Sequence, residues 1–305
     1  MEQEELKQKI LAVLTDTTLT DPTDKYIDFW LKCYPIGYEK AEKQWFTPKT
    51  ADQVDRIVYP KEIINSSYGE FNDWAEFDGI HYSFSVLKSV SLNNEVQKVV
   101  DVLTPLSELY EDAQGDPELR LRFKRIRINF YEALCSKRFG LYNIPLYNEV
   151  ATKMIENINR VERIVKEHER QVMMRSYDSV GFEARNKEDA EKVLIDVNND
   201  VKYKVRIKFY PRFVHFINWL VYLGEDGKII TKMLNYNTKY PQMEGIKKEI
   251  ATLLLGKRYK EAYDKAMATP LVPLDPLHPN QDPARFTDWY SKTLRDNFES
   301  IRNVI

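Results

Sequence analysis

Glu70, Asp73, Glu76, Asp78 and His81 fall within twelve residues of one another. Carboxylates joined by an imidazole are side chains that hold a divalent cation. Asp side chains also stabilise turns, and turn chemistry is the preferred reading of this cluster. The four histidines, His81, His168, His215 and His278, lie far apart, and none sits in an H-E-x-x-H pair. His215 stands in an apolar stretch and reads as a core histidine, whereas His168 reads as a surface or interface residue. The only cysteines, Cys33 and Cys135, are too few for a disulfide framework or a zinc site, and a reduced interior suits them. There is no G-x-S-x-G nucleophile elbow. No catalytic residue, metal or cofactor is therefore expected.

Two basic stripes suit a polyanion. Between Gly115 and Gly140 there are seven bases and three acids, and helical spacing puts Arg120, Lys124 and Arg127 on one face with Tyr131. Lys202, Lys204, Arg206 and Lys208 alternate, which puts them on one side of a strand. The bland reading of both is a solvated, ion-paired surface. The whole chain carries 45 basic and 47 acidic side chains, a formal charge of −2, so it lacks the overall basic excess of a protein devoted to duplex nucleic acid.

Glycine occurs only 10 times in 305 residues. No two glycines are spaced G-x-G and no G-x-x-x-x-G-K-[ST] exists, which excludes both common phosphate-cradling loops. Gly79, Gly115, Gly140, Gly227 and Gly256 fall at expected turns and helix ends, leaving little provision for a ligand to approach the backbone closely. That favours a chain whose chemistry is contact with other macromolecules.

These side chains need elements to position them. Leu6, Ile10, Val13 and Leu14 predict a helix over 4–14. Tyr26, Ile27, Trp30, Leu31 and Tyr34 predict another from Asp24 to Pro35. Thr50 caps a short helix that stops before Pro60. Tyr68, Phe71, Trp74 and Phe77, then Asp78-Gly79, then Tyr82, Phe84 and Val86 predict a β-hairpin over 68–90. A helix over 93–110 contains Pro105, and Asp116-Pro117 opens one that runs toward Gly140. The longest helix, 145–175, buries Val150, Met154, Ile158, Val161, Val165 and Val172.

From residue 187 the order is helix (187–197), strand (201–210), strand (213–223), a turn at Glu225-Asp226-Gly227, strand (228–235) and helix (243–255). Gly256 closes that helix as a C-cap, and a short helix over 258–268 follows. With Lys247-Lys248 near the start of the closing helix, this order is similar to that of double-stranded-RNA-binding domains. The resemblance implies RNA on the basic strand face, although the turn lacks that family's glycine pattern.

Pro270, Pro273, Pro276 and Pro279 recur every third residue, as do Leu271, Leu274 and Leu277. That is polyproline II spacing, and ten such residues span roughly 31 Å. Asp282-Pro283 then opens a last helix whose face is Phe286, Trp289, Tyr290, Leu294, Phe298 and Ile301.

The expected fold class is α+β and mostly helical. A helical N-terminal region (1–176) carries an inserted β-hairpin, a small α-β-β-β-α module follows (177–268), and an extended Pro-rich arm ends in a C-terminal amphipathic helix (269–305). The acidic start is unlike an export signal, and no apolar run approaches the ~20 residues of a membrane span, so a cytoplasmic protein with no membrane partner is expected. The expected function is non-enzymatic: a structural or assembly protein, one subunit of a larger complex, in the style of a phage neck, tail or connector component. It would bind protein partners or copies of itself, as a homo-oligomer or hetero-assembly, through Leu271, Leu274, Leu277, Phe286, Trp289, Tyr290, Leu294 and Phe298. The alternatives are a nucleic-acid (RNA) binding module using Arg120, Lys124, Arg127, Lys202, Lys204 and Arg206, and a metal-dependent enzyme using the Glu70–His81 cluster.

Overall fold

A computed structural model describes residues 1–15, 22–35, 62–63, 68–112, 116–137, 139–176, 178–216, 219–233, 241–268 and 299. The short helix expected after Thr50 and the arm residues from Leu271 to Phe298, with Ile301, lie outside the described residues. The chain forms two compact units, one of Met1–Pro60 with Gly79–Asn159 and one of Lys61–Asp78 with Arg160–Ile305. Both are discontinuous in sequence, so they do not coincide with linear cuts after 176 and 268.

The first unit is helical: α1 (Gln3–Thr15), α2 (Pro22–Cys33), α3 (Tyr82–Leu87), α4 (Asn94–Ser107), α5 (Pro117–Ala133) and the first part of α6 (Ile144–Glu167). Local chemistry sets the ends. Asn93 caps α4 by accepting the Val96 N–H at 2.9 Å, and Asp116 caps α5 by accepting the Glu118 N–H at 2.8 Å. Pro105 sits inside α4, which passes into a π-helical turn at Glu108–Asp112. Proline removes a backbone donor from the helical ladder, and a wider turn near that gap is one way to accommodate it. Leu6, Ile10 and Leu14 of α1, Val96, Val99 and Leu103 of α4, and Phe123, Ile126 and Phe130 of α5 are buried together with Trp30. The Trp30 Nε1–H donates to the Ile126 carbonyl at 2.9 Å, and the Tyr82 hydroxyl to the Met154 carbonyl at 2.6 Å, so both buried polar tips are satisfied.

The second unit is built on one seven-stranded sheet in the order β1-β3-β4-β2-β5-β6-β7. The strands are β1 (Glu62–Ile63), β2 (Tyr68–Gly79), β3 (Val172–Arg175), β4 (Ser179–Glu183), β5 (Val205–Phe216), β6 (Trp219–Leu223) and β7 (Ile229–Met233), with α7 (Lys187–Asp200), α8 (Pro241–Leu255) and α9 (Tyr259–Ala268). One sheet face carries Val214 and Val221 against Ile250, Ala251 and Leu254 of α8 and Ala262 and Ala266 of α9. A second cluster is Trp74, Met174, Tyr210, Phe213, Leu220 and Tyr222. There the Trp74 and Phe213 rings lie 4.2 Å apart. Gly181 of β4 is part of this packing, because a Cβ there would stand 2.4 Å from the Trp74 ring. A mid-strand glycine often marks a close approach of this kind, so here a glycine does admit another group to the backbone.

The fold is mixed α+β, and four expectations about its arrangement are corrected. Residues 82–87 are helical rather than the return strand of a hairpin. Asp78-Gly79 does end a strand, but β2 takes its neighbours from β4 and β5, about a hundred residues further along. With both edges filled, β2 needs no local partner. The long helix stops at Glu167, and Val172 begins β3 instead of ending the helix. Glu169 adopts φ 58°; its N–H donates to the Lys166 carbonyl and the Arg170 N–H to the Val165 carbonyl, the paired bonds of a Schellman end. At the end of α8 the left-handed residue of the same motif is Lys257 (φ 57°), one beyond Gly256. Finally, β5 runs through Pro211 to Phe216, and β5–β7 extend the seven-stranded sheet rather than forming a separate α-β-β-β-α module.

Candidate functional site

The second unit brings chemistry together at one end of its sheet. β2 and β4 pair antiparallel with Asp78 opposite Ser179, Glu76 opposite Gly181 and Trp74 opposite Glu183. Residues opposite each other share a face, so Trp74, Glu76 and Asp78 line up beside Ser179 and Gly181. The β3–β4 connection is tight: the Ser176 N–H donates to the Ser179 carbonyl at 2.8 Å. This turn puts Asp178 one residue beyond the register partner of Asp78. Two carboxylates from strands distant in sequence thus reach the same sheet end.

Each carboxylate is held differently. Asp78 is 8% exposed, and its Oδ2 accepts Arg206 Nε at 2.9 Å, Arg206 Nη2 at 2.7 Å and Lys208 Nζ at 2.9 Å. Burial alone would raise the Asp78 pKa, but the charge and hydrogen bond of Lys208, with those of Arg206, overcome it and hold the carboxyl below its ordinary value. Asp178 is exposed, and its Oδ1 accepts the Ser176 hydroxyl at 2.8 Å. Ser176 is itself buried, with its Oγ 2.8 Å from that of Ser179.

Glu76, on the same strand face as Asp78, is buried. Burial, followed by the Glu76 charge, pushes the Tyr222 phenol well above its usual range. Burial likewise pushes Tyr210 up to about 12, with the charges of Glu76 and Asp78 acting in the same direction. Both phenols are neutral at physiological pH, and their rings pack on each other 4.6 Å apart.

Two carboxylates are too few for an all-protein calcium cage, and among the described residues no group of three or more His, Cys, Asp or Glu side chains converges to hold a metal. Mg²⁺ is commonly bound by one or two carboxylates and completes its shell with waters and substrate phosphates, whereas Asp78 here is buried with its Oδ2 already held by Arg206 and Lys208. Arg206 and Lys208 are cations of the kind that meet phosphate oxygens, and here both are engaged on Asp78.

The other residues singled out from the sequence go elsewhere. Glu70 pairs with Arg212 at 3.0 Å and Lys257 at 3.3 Å. Asp73 adopts φ 48° within β2, and its carbonyl accepts the Ala184 N–H at 2.9 Å. His81 precedes α3 at φ 50°. The acidic aromatic cluster therefore contributes only Asp78 and Glu76 to this site. Arg120 and Lys124 are exposed on α5, but Arg127 is 5% exposed and lies over the Phe84 ring at 6.0 Å, so the three do not form one solvent-facing stripe. Lys202 and Lys204 are exposed and precede β5, whereas Arg206 and Lys208 lie within it. His168 pairs with Asp196 at 2.8 Å, and His215 is buried. Burial raises the Cys33 thiol to about 11, which keeps it a poor nucleophile.

Sequence reasoning missed Ser176 and Asp178 because it carried the helix through 175. The signal was present: Val172-Met173-Met174 and Val180-Gly181-Phe182 flank a short polar turn holding two serines and one acid. Among the described residues no helix is long and apolar enough to cross a membrane.

No family model matches this chain, and no curated protein does. Among solved structures the chain is similar to the family B DNA polymerase from the hyperthermophilic archaeon Pyrobaculum calidifontis, with a TM-score of 0.52 at 12% sequence identity. The likeness covers 89% of this chain and 44% of that one, so this chain spans less than half the polymerase's length. At this identity the likeness concerns the fold.

Proposed function

We propose that this chain is a polymerase-type nucleotidyl-transfer protein acting on DNA and deoxynucleoside triphosphates, with Asp78 and Asp178 as its metal-holding carboxylates. What supports the reading is that Asp78, which pairs with Ser179 at the end of β2 and β4, and Asp178, one residue before Ser179, come from positions 100 apart on a fold similar to part of a DNA polymerase. Bound divalent ions would lower the pKa of the attacking hydroxyl and stabilise charge on the phosphate undergoing displacement. The chain's own residues supply the setting. Ser176 holds Asp178 by its hydroxyl, and Arg206 and Lys208 hold Asp78 and present positive charge. In such a reaction a 3′-hydroxyl oxygen would bond to the α-phosphorus as the bond to pyrophosphate breaks, with the hydroxyl proton released to solvent.

This reading is preferred to a non-enzymatic assembly subunit. That expectation rested on the arm, which lies outside the described residues. In addition, the Tyr263 hydroxyl of α9 donates to Glu299 of the same chain at 2.5 Å.

Primer extension with a labelled primer–template, all four deoxynucleoside triphosphates and Mg²⁺ or Mn²⁺ tests the proposal. Metal-dependent extension is expected, with a loss of at least about a hundredfold in Asp78→Asn and in Asp178→Asn, the scale on which removing a key charge-stabilising group acts. A folded wild-type chain that neither extends the primer nor binds Mn²⁺ overturns it.

A further inference from the structure

Among the exposed large hydrophobic side chains of the described residues are Leu121 at 44%, Ile128 at 41% and Ile195 at 60%. Leu121 and Ile128 belong to α5, and Ile195 to α7. On α5, Leu121, Lys124, Arg125 and Ile128 stand at i, i+3, i+4 and i+7, so they form one stripe. It lies on the side away from the buried Phe123, Ile126 and Phe130. On α7, the exposed Glu188, Glu191 and Ile195 stand at i, i+3 and i+7, away from the buried Ala190, Val193 and Val197. The two helices carry opposite charge: α5 holds five bases against two acids, and α7 five acids against two bases. Arg122 of α5 pairs with Glu118, and Lys187 of α7 with Glu225. Among the described residues, Lys124, Arg125, Glu188 and Glu191 stand in no ion pair. Each stripe thus sets unpaired charge beside uncovered apolar surface.

We propose that these stripes are complementary docking faces and that the occupant of each is a second copy of this chain, the α7 stripe of one copy lying along the α5 stripe of the next. Seven residues of helix rise about 10.5 Å, so Leu121 and Ile128 are spaced to receive Ile195 between them. Seated there, Ile195 brings Glu191, one turn along, within reach of Lys124 or Arg125, whose long stems also cover the apolar contact. Opposite charges on the two faces fix the register and reject an α5–α5 or α7–α7 pairing. A nucleic-acid backbone would meet the α5 cations, but it offers no apolar surface to Leu121 and Ile128 and gives the acidic α7 stripe no partner. The contact is head-to-tail, since every docked copy keeps one unused face, so copies add in a row rather than closing a two-fold dimer. One helix against another buries less than the about 1,200 Å² of a standard interface, so the association is weak and reversible. This inference goes beyond the polymerase-type reading and does not depend on it.

Sedimentation equilibrium of the full chain over about a hundredfold range of concentration tests it. At about 50 mM salt the average mass should rise with concentration, and at about 500 mM, where the Debye length falls from roughly 14 to roughly 4 Å, association should weaken about tenfold. Two variants reverse one stripe each: Lys124→Glu with Arg125→Glu, and Glu188→Lys with Glu191→Lys. Each alone sets like charge against like and should stay monomeric at low salt. Mixed in equal amounts they should associate again, because each reversed stripe then meets its opposite. Ile195→Ser should weaken wild-type association at least about tenfold by removing the central apolar contact. If a reversed chain fails to fold by circular dichroism, Ile195→Ser and the salt series carry the test. A wild type that stays monomeric at low salt up to its solubility limit overturns the proposal, as do reversed chains that stay apart when mixed. Association that both reversals leave intact puts the contact elsewhere, and association that nuclease treatment abolishes puts a polyanion on α5; either result overturns it too. None of these outcomes bears on primer extension, so the two readings fail separately.

Discussion

Replacing Gly181 by alanine tests how β2 and β4 come to place the two carboxylates. A Cβ on Gly181 would stand 2.4 Å from Trp74 Cζ2, 3.1 Å from Trp74 Cη2 and 3.1 Å from Met174 Cε. Carbon atoms pack favourably from about 3.5 Å outward, so the indole would have to retreat by about an ångström. Trp74 is fully buried, with the Phe213 and Phe71 rings at 4.2 and 5.2 Å, and an indole cannot bend aside as a flexible chain would. Overpacking of this sort costs about 1–3 kcal/mol, and a rigid obstacle puts Gly181→Ala in the upper half of that range. Urea unfolding followed by circular dichroism measures it. Trp74→Phe deletes Cζ2 and Cη2, the atoms in the way, and by itself should cost about 1–2 kcal/mol through lost burial. Combined, the two changes should destabilise less than their sum by about 2 kcal/mol. Strict additivity, or a Gly181→Ala effect below about 0.5 kcal/mol, would refute the claim that this glycine exists to seat the Trp74 ring.

Three further outcomes are expected. The Asp189 carboxylate accepts Arg170 Nε and Nη2, both at 2.8 Å, and this hydrogen bonding holds its pKa at about 2. A depressed value means the pair stabilises the fold above about pH 4 and loses that contribution as pH falls toward 2. Asp189→Asn should therefore cost about 1–2 kcal/mol at neutral pH and almost nothing at pH 2, and equal effects at the two pH values in urea titrations would refute this. Glu169→Gly should raise the melting temperature by about 2 °C, because glycine occupies the left-handed position at about 1 kcal/mol less cost; a fall in calorimetry would mean that its exposed contact with Arg185 at 3.7 Å outweighs backbone strain. Trp30→Phe should cost about 2 kcal/mol, since it leaves the buried Ile126 carbonyl without its indole donor; unchanged hydrogen exchange along α5 would count against it.

Much of the helical unit was legible from residue spacing. The apolar stripes of α1, α4 and α5, the Asp116-Pro117 start and the caps are local signals, each carried by residues within a few positions. The α7–α9 order with its Asp226-Gly227 turn was equally local. The site was half legible. Asp78 stood out as an acid in an acidic aromatic cluster at a turn, and Arg206 and Lys208 as bases on one strand face, but nothing nearby in sequence says that the bases meet the acid. Asp178 was hidden because the apolar positions 161, 165 and 172 continue a helical period past the true end at Glu167. Only the backbone at Glu169 and Arg170 shows the break.

The sequence alone determined the composition of the elements: which stretches bury an apolar stripe, where proline and capping residues stop them, and that the common glycine-rich phosphate loops are absent. Tertiary structure decided the pairing. Whether 82–86 returns as a strand, whether β5 ends at Pro211, and which residue stands opposite Asp78 depend on strand partners about a hundred residues away. Hydrogen bonding between strands is non-local and reads out only the alternation of each strand, so no local pattern specifies the neighbour. Gly181 shows the difference most plainly: in the sequence it is one of ten glycines, and in the fold it is the gap that lets Trp74 seat β2 against β4.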